Sequence, residues 1–173
     1  MKVEASHWST DSNPIVTSVT NIGQMFLDLS AYHKELSQHV NPHSKKNFIE
    51  TAKSITAETA RLIKAVEPLS KACADKRLVQ QISQTTDRVS TLAQTLKVIA
   101  AVKASSPRDT DKQSQLITNG QNLVASVKMV LRDAISCTLR LKGEAPADLV
   151  HFKKQIYRGS KASGAKVFER SVV

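Results

Sequence analysis

Hydrophobic residues recur at alternating steps of four and three in four successive windows of this chain. That spacing places the apolar side chains of each window on one face of an α-helix. Asn13 is the predicted cap of the first helix and Pro14 its first residue, and the second helix is predicted to start at Ser44. Asp75 is the predicted cap of the third helix, which should end before Ser105-Ser106-Pro107. The four stripes are Ile15, Val19, Ile22, Phe26, Leu29, His33, Leu36 and Val40; Phe48, Ala52, Ile55, Thr59, Leu62, Val66, Leu69 and Cys73; Leu78, Ile82, Val89, Leu92, Leu96 and Ile99; and Leu116, Gly120, Leu123, Val127, Val130, Ala134, Cys137 and Leu141.

The segments between the windows are short. The links around Asn41-Pro42-His43 and from Ser105 to Thr110 favour antiparallel neighbours. Pro68 falls inside the second window and predicts a bend near Lys64 rather than a break. We therefore predict an all-α fold, an antiparallel up-and-down bundle of four long helices packed about 20° off axis, with room for a short N-terminal helix remnant.

The helical pattern ends after Gly143, so we place a helical-bundle domain at 1–145 and a basic C-terminal arm at 146–173. Between His151 and Val173 there are six Lys or Arg residues and one acid. A flexible end and a first part packed on the bundle are expected for this arm, because Gly and Ser are concentrated after its apolar residues Leu149, Val150, Phe152, Ile156 and Tyr157.

Composition adds a partner class to this picture. With 173 residues, of which 40% are hydrophobic and 4% aromatic, the chain suits one helical domain. Its formal charge of +10 predicts attraction to nucleic acid, anionic lipid or an acidic protein filament, and does not choose among them.

Cys73 and Cys137 continue apolar stripes, which favours two small buried side chains in a reducing compartment over a disulfide. No segment has the roughly twenty apolar residues of a membrane span or a targeting core, so we expect a soluble, intracellular protein.

Val98 and Val102 lie outside the stripe of the third helix, one turn apart, with Lys97 and Lys103 beside them. An exposed apolar pair rimmed by cations is typical of a docking surface. The alternative is a broad helix face that buries both valines against a neighbouring helix or the N-terminal segment. Ile135 and Leu139, also off the stripe of their helix, would extend the surface or pack inside.

Several runs of the chain resemble, in order and at matching spacing, the actin-binding tail domain of the vinculin and α-catenin family. They are His7-Trp8-Ser9, Cys73-Ala74-Asp75-Lys76-Arg77, Leu96 to Ala104, and Gln121 to Lys128 continuing through Arg132. The Cys-x-Asp-Lys-Arg and Gln-Asn-Leu runs are more similar to vinculin than to α-catenin. The resemblance implies a cytoplasmic protein that links adhesion complexes to the cytoskeleton by binding actin filaments, and it leaves self-association on actin open.

The resemblance also assigns residues. The family's apolar actin contacts fall on Val98 and Val102, and its neighbouring basic positions on Lys103, Arg140 and Lys142. Its binding sites for acidic phosphoinositides fall on Lys45, Lys46, Lys153 and Lys154, whereas a further family arginine is replaced here by Val79. Family tails have five helices and a head domain as partner, and this chain begins near the end of the first helix. We therefore expect it to resemble the unmasked state.

Four alternatives to actin binding are catalysis, metal binding, phospholipid binding and nucleic-acid binding. Catalysis is disfavoured because there is no Gly-rich phosphate loop, nucleophile elbow or His-Glu-x-x-His run, and no cofactor is implied. A metal site at His39 and His43 is disfavoured because Pro42 interrupts their spacing and no further ligand is nearby. Binding to acidic phospholipids is the main alternative to actin. Nonspecific nucleic-acid binding ranks below it, since aromatic side chains that stack on bases are scarce.

Overall fold

A computed structural model describes residues 13–38 and 41–141 of the chain. They form four helices: α1 (Pro14–Gln38), α2 (Pro42–Ala72), α3 (Lys76–Ser105) and α4 (Thr110–Thr138). The predicted all-α bundle is confirmed. The proposed N-terminal helix remnant, Lys142 and the basic arm lie outside the described residues.

Side chains that precede the helices cap them. The Asn13 side-chain oxygen accepts hydrogen bonds from the amides of Ile15 and Val16 at 3.0 and 3.2 Å, and Asp75 caps α3 in the same way. These are the caps that the sequence predicts. The start predicted for the second helix at Ser44 is wrong by two residues, because Asn41 is the cap and Pro42 occupies the first turn, where a missing N–H costs nothing.

Pro68 does not interrupt α2, which continues to Ala72. This agrees with the prediction that the helix is not broken there. The bend near Lys64 stays a prediction.

Polar contacts between helices fix their directions. Asn21 of α1 donates to Glu58 of α2 at 3.3 Å, and Ser44 donates to Glu35 at 2.9 Å. A later residue of α1 thus meets an earlier one of α2. Gln81 of α3 donates to Asp133 of α4 at 2.9 Å, although α3 and α4 are joined by a short loop at their other ends. Thr56 of α2 donates to the Ala93 carbonyl of α3 at 3.1 Å, so consecutive helices are antiparallel throughout.

The hydrophobic core follows the predicted stripes with one shift in α3. Ala93, Ala100 and Ala104 are buried, whereas Leu92 and Ile99 are half-buried. Small side chains on this face let α3 approach its neighbours closely. The large side chains that are fully buried come from all four helices: Ile22, Leu36, Phe48, Ile55, Leu62, Val66, Leu69, Ile82, Val89, Leu96 and Leu123.

The bundle has two ends that differ in how the helices are joined. We call the end with the 106–109 loop and the start of α2 the loop end. We call the end with the 73–75 turn and residues 139–141 the turn end. At the turn end, Cys73 and Leu141 form an isolated antiparallel bridge, and the Ala74 amide donates to the Arg140 carbonyl at 2.7 Å. The end of α4 is thereby attached to the turn between α2 and α3.

Candidate functional site

The apolar ridge, which we define as Val98 and Val102, is exposed on α3. The exposed fraction is 60% for Val98 and 41% for Val102. Val98 lies nine residues after the fully buried Val89, or two and a half turns, and so projects from the opposite side of the helix. The predicted docking surface is thus free of the core among the described residues, and the alternative of a broad buried face is wrong.

The two lysines beside the ridge have opposite environments. Lys97 is exposed, but only 1% of Lys103 is exposed. The Lys103 ammonium donates to the Asp109 carbonyl at 2.7 Å, and the side chain as a whole is buried. The expectation that Lys103 belongs to an exposed basic rim is therefore wrong: its charge links the last turn of α3 to the loop that precedes α4.

His33 lies near this buried cation, close to the end of α1. Its ring centroid is 6.0 Å from that of Phe48. Burial lowers the pKa of His33, and the positive charge of Lys103 lowers it further. Its Nε2 atom is buried without a hydrogen-bond partner among the described residues.

Arg140 lies at the turn end and not beside the ridge. Its side chain is 56% exposed and forms an ion pair with Asp75, the cap of α3. Val98 is 23 positions further along α3 than Asp75, which corresponds to roughly 35 Å along the helix axis at about 1.5 Å per residue. Arg140 therefore does not form one continuous rim with the valines. Ile135 is half-buried and Leu139 exposed near this same end, so neither extends the ridge.

The two lysines assigned to phosphoinositides by resemblance begin α2 at the loop end. Lys46 is exposed and Lys45 half-buried. Few backbone amides remain free for a phosphate here, because Pro42 has none, His43 donates to the Asn41 side chain and Lys45 donates to the Asn41 carbonyl. Contact with a phosphate would therefore depend on the side chains of the two lysines. Val79 is half-buried in α3, and Lys153 and Lys154 lie outside the described residues.

An apolar groove between α1 and α4 is a feature that the sequence pattern did not indicate. It encloses about 450 Å³ and is lined by residues of both helices and by Leu96 of α3. Gly120 permits the closest approach, since a Cβ atom there would lie 3.3 Å from the Phe26 ring. A glycine inside a helical stripe is the available sequence signal for such a place. The other lining residues are Leu29, Ser30, His33, Leu116, Ile117, Gln121, Val124, Ala125 and Lys128.

Two further kinds of site were sought in residues 13–38 and 41–141. No grouping of three or more His, Cys, Asp or Glu side chains there is arranged to hold a metal ion. Within the same residues, none of the helices combines the length and hydropathy needed to cross a membrane.

Comparison with known proteins places these features in a family. The family model described as "Vinculin family" matches residues 1–156. A vinculin from Oscarella pearsei is 30% identical over 166 residues, which are 92% of this chain and 19% of that protein. Human vinculin is 27% identical over 150 residues, or 82% of this chain and 13% of that protein.

A solved structure has the same helical arrangement. It is described as a vinculin homolog in a sponge that reveals vertebrate-like cell adhesions, and it aligns with a TM-score of 0.73 at 29% identity. The alignment covers 84% of this chain and 18% of that one. The chain therefore spans about a fifth or less of the length of these relatives.

Proposed function

Because the chain belongs to the vinculin family, we propose that it acts as an actin-binding tail of a vinculin-like adhesion protein, through the apolar ridge of α3. The observation that carries the proposal is the exposure of Val98 and Val102 on a helix whose other large aliphatic side chains are buried or half-buried. Both fall on the family's apolar actin contacts. Aliphatic side chains that are exposed in the free protein gain burial when a partner covers them.

Charge supports encounter with the filament more than it supports affinity. The net charge of +10 would speed association with an acidic surface. Lys97 is the exposed cation next to the ridge, so we propose it in place of Lys103 as the neighbouring basic contact. Arg140 would meet a separate part of the filament surface, and Lys142 retains its proposed role by resemblance alone.

The wider biological setting follows from the same resemblance. We propose a cytoplasmic protein at adhesion sites, with actin filaments as its main partner and a head domain as partner in a longer protein. Self-association on actin would be detected as bundling of the filaments. The proposed role is binding and not catalysis.

Binding of acidic phosphoinositides is the second proposed function. Exposure of Lys46 and partial exposure of Lys45 at the start of α2 support it. Cosedimentation with vesicles of phosphatidylcholine, with and without phosphatidylinositol bisphosphate, tests it. We expect a Lys45→Gln, Lys46→Gln variant to bind the phosphoinositide vesicles several-fold more weakly; unchanged binding would remove these two residues from the site.

The main test is cosedimentation of the full chain with actin filaments at two salt concentrations. We expect the Val98→Ala, Val102→Ala variant to bind about thirty-fold more weakly, because truncating a central apolar anchor typically costs about 1 kcal/mol and the variant truncates two. Its melting temperature should change little. The wild-type chain should retain part of its binding at the higher salt concentration, unlike a nonspecific nucleic-acid binder.

Leu27→Ala is the matched control, since Leu27 is 66% exposed on α1 and lies outside the ridge. This variant should bind filaments as the wild-type chain does. Equal loss in both variants, or no loss in the valine variant, would exclude the ridge as the contact surface.

A further inference from the structure

Two cysteines meet where the turn end of the bundle is closed. Cys73 follows α2 directly and caps its end, and Cys137 lies in the last turn of α4. Both are free thiols, and both are buried, with exposed fractions of 1% and 0%. They are the only two cysteines of the 173-residue chain.

The backbone brings their side chains together. Cys73 is bridged to Leu141, and Cys137 precedes Leu141 by four residues, about one helical turn. The adjacent Ala74 amide bonds to the Arg140 carbonyl at 2.7 Å. The Arg140 amide in turn donates to the Cys137 carbonyl at 2.9 Å, so one short backbone path links the two cysteines. The Cys73 thiol donates to the Asp75 carbonyl at 3.9 Å, and Cys73 is close enough to Cys137 to help raise the pKa of the Cys137 thiol.

We propose that Cys73 and Cys137 are a modification site, at which an oxidant forms a reversible intramolecular disulfide that joins the turn between α2 and α3 to the last turn of α4. With a peroxide as oxidant, each thiol gives up one electron and one proton. The S–S bond forms, the O–O bond of the peroxide breaks, and two molecules of water leave when the peroxide is H₂O₂. A dithiol reductant reverses the modification by thiol–disulfide exchange.

Burial makes the reaction slow but does not prevent it. Burial, together with the neighbouring Cys73, raises the pKa of Cys137 to about 12. Little thiolate is therefore present at neutral pH, and the thiolate is the form that reacts. Oxidation therefore requires brief opening of the turn end. Because the thiolate is the reacting form, oxidation should proceed faster at alkaline pH. This distinguishes the pair from a fast, low-pKa redox sensor.

The disulfide would stabilise the bundle without reaching the ridge. It would close a loop that contains all of α3 and nearly all of α4, and a cross-link over a loop of this length reduces the conformational entropy of the unfolded chain. The ridge lies near the opposite end of α3. Oxidation should therefore raise thermal stability and leave filament binding by Val98 and Val102 unchanged.

The test compares the full chain after treatment with excess dithiothreitol and after treatment with hydrogen peroxide under native conditions. We expect the oxidised monomer to lose the mass of two hydrogen atoms, to present no thiol to iodoacetamide in urea, and to recover both thiols on reduction. Its melting temperature should rise by roughly several degrees. Persistence of both free thiols, oxidation to separate sulfinic acids, or cross-linking only between molecules would each overturn the proposal.

Cys137→Ala and Cys73→Ser are the control variants. Each retains a single thiol, so neither should show the melting-temperature increase or the intramolecular mass change. Because the main comparison uses the wild-type chain in two redox states, the proposal remains testable if a variant folds poorly.

Discussion

The loop end and the turn end of the bundle are joined by different interactions. At the loop end, the buried ammonium of Lys103 bonds to the Asp109 carbonyl beside His33. At the turn end, a backbone bridge and the exposed Asp75–Arg140 ion pair join α4 to the turn after α2, beside two buried thiols. Buried charge carries a large desolvation cost unless it is paired, whereas exposed ion pairs contribute little.

This difference separates two basic residues that the resemblance groups as actin contacts. Lys103 is structural, and its position explains why the last turn of α3, which carries Val102, is held against the loop. Arg140 is available to a partner at the cost of a weak ion pair. A residue that matches a family motif should therefore be assigned to a binding surface only after the exposure of its side chain is known.

The largest expected effect is on stability at the loop end. Lys103→Glu would place an unpaired negative charge in the core next to the Asp109 carbonyl, and we expect a loss of about 3 kcal/mol or more in the free energy of unfolding. Lys97→Glu is the matched control, because Lys97 is exposed on the same helix, and it should change stability by less than about 0.5 kcal/mol. Urea unfolding of both variants measures this difference; equal stabilities would contradict the buried position of Lys103.

A smaller effect is expected at the turn end. Asp75→Ala removes the cap of α3, whose side chain accepts from the Arg77 and Leu78 amides, and also removes the ion pair with Arg140. We expect a loss of about 1–2 kcal/mol in the free energy of unfolding, most of it from the cap.

Asp75→Asn separates the two contributions, since asparagine caps helices as well as aspartate does but carries no charge. Its loss should be below about 1 kcal/mol in the same urea unfolding measurement. If Asp75→Asn were as destabilising as Asp75→Ala, the ion pair and not the cap would hold the start of α3.

The sequence predicted most of the fold because helix formation here is local. Asn13 and Asp75 are polar residues placed directly before apolar stripes, so cap and stripe indicate the same helix start. The exposure of Val98 was also predictable, since its position relative to Val89 follows from helical periodicity alone. Ala93 and Ala100 were missed in the core because small side chains carry a weak hydropathy signal.

The missed features depend on how the helices meet. Lys103 is buried where its ammonium bonds to a carbonyl of the 106–109 loop, and the helical pattern does not specify the conformation of that loop. The proximity of Cys73 and Cys137 depends on α2 and α4 running parallel, so that both helices end at the turn end of the bundle. The groove beside Gly120 depends on the spacing between α1 and α4, and the apolar stripe of a single helix does not specify the spacing between helices.

The smallest expected effect is a pH dependence that belongs to the loop end. Burial and the charge of Lys103 lower the pKa of His33 in the folded chain below its ordinary value of 6.5. Below about pH 6.5 the unfolded chain therefore binds more protons at this site than the folded chain does, so this contribution to stability is present at neutral pH and is lost as the pH falls. We expect the free energy of unfolding to fall by less than about 1 kcal/mol between pH 7.5 and pH 5.5, since the site is partly open to solvent.

His33→Gln should reduce the difference in melting temperature between these two pH values, whereas His43→Gln, at an exposed histidine, should leave it unchanged. An equal effect of both substitutions would show that the pH dependence does not come from His33.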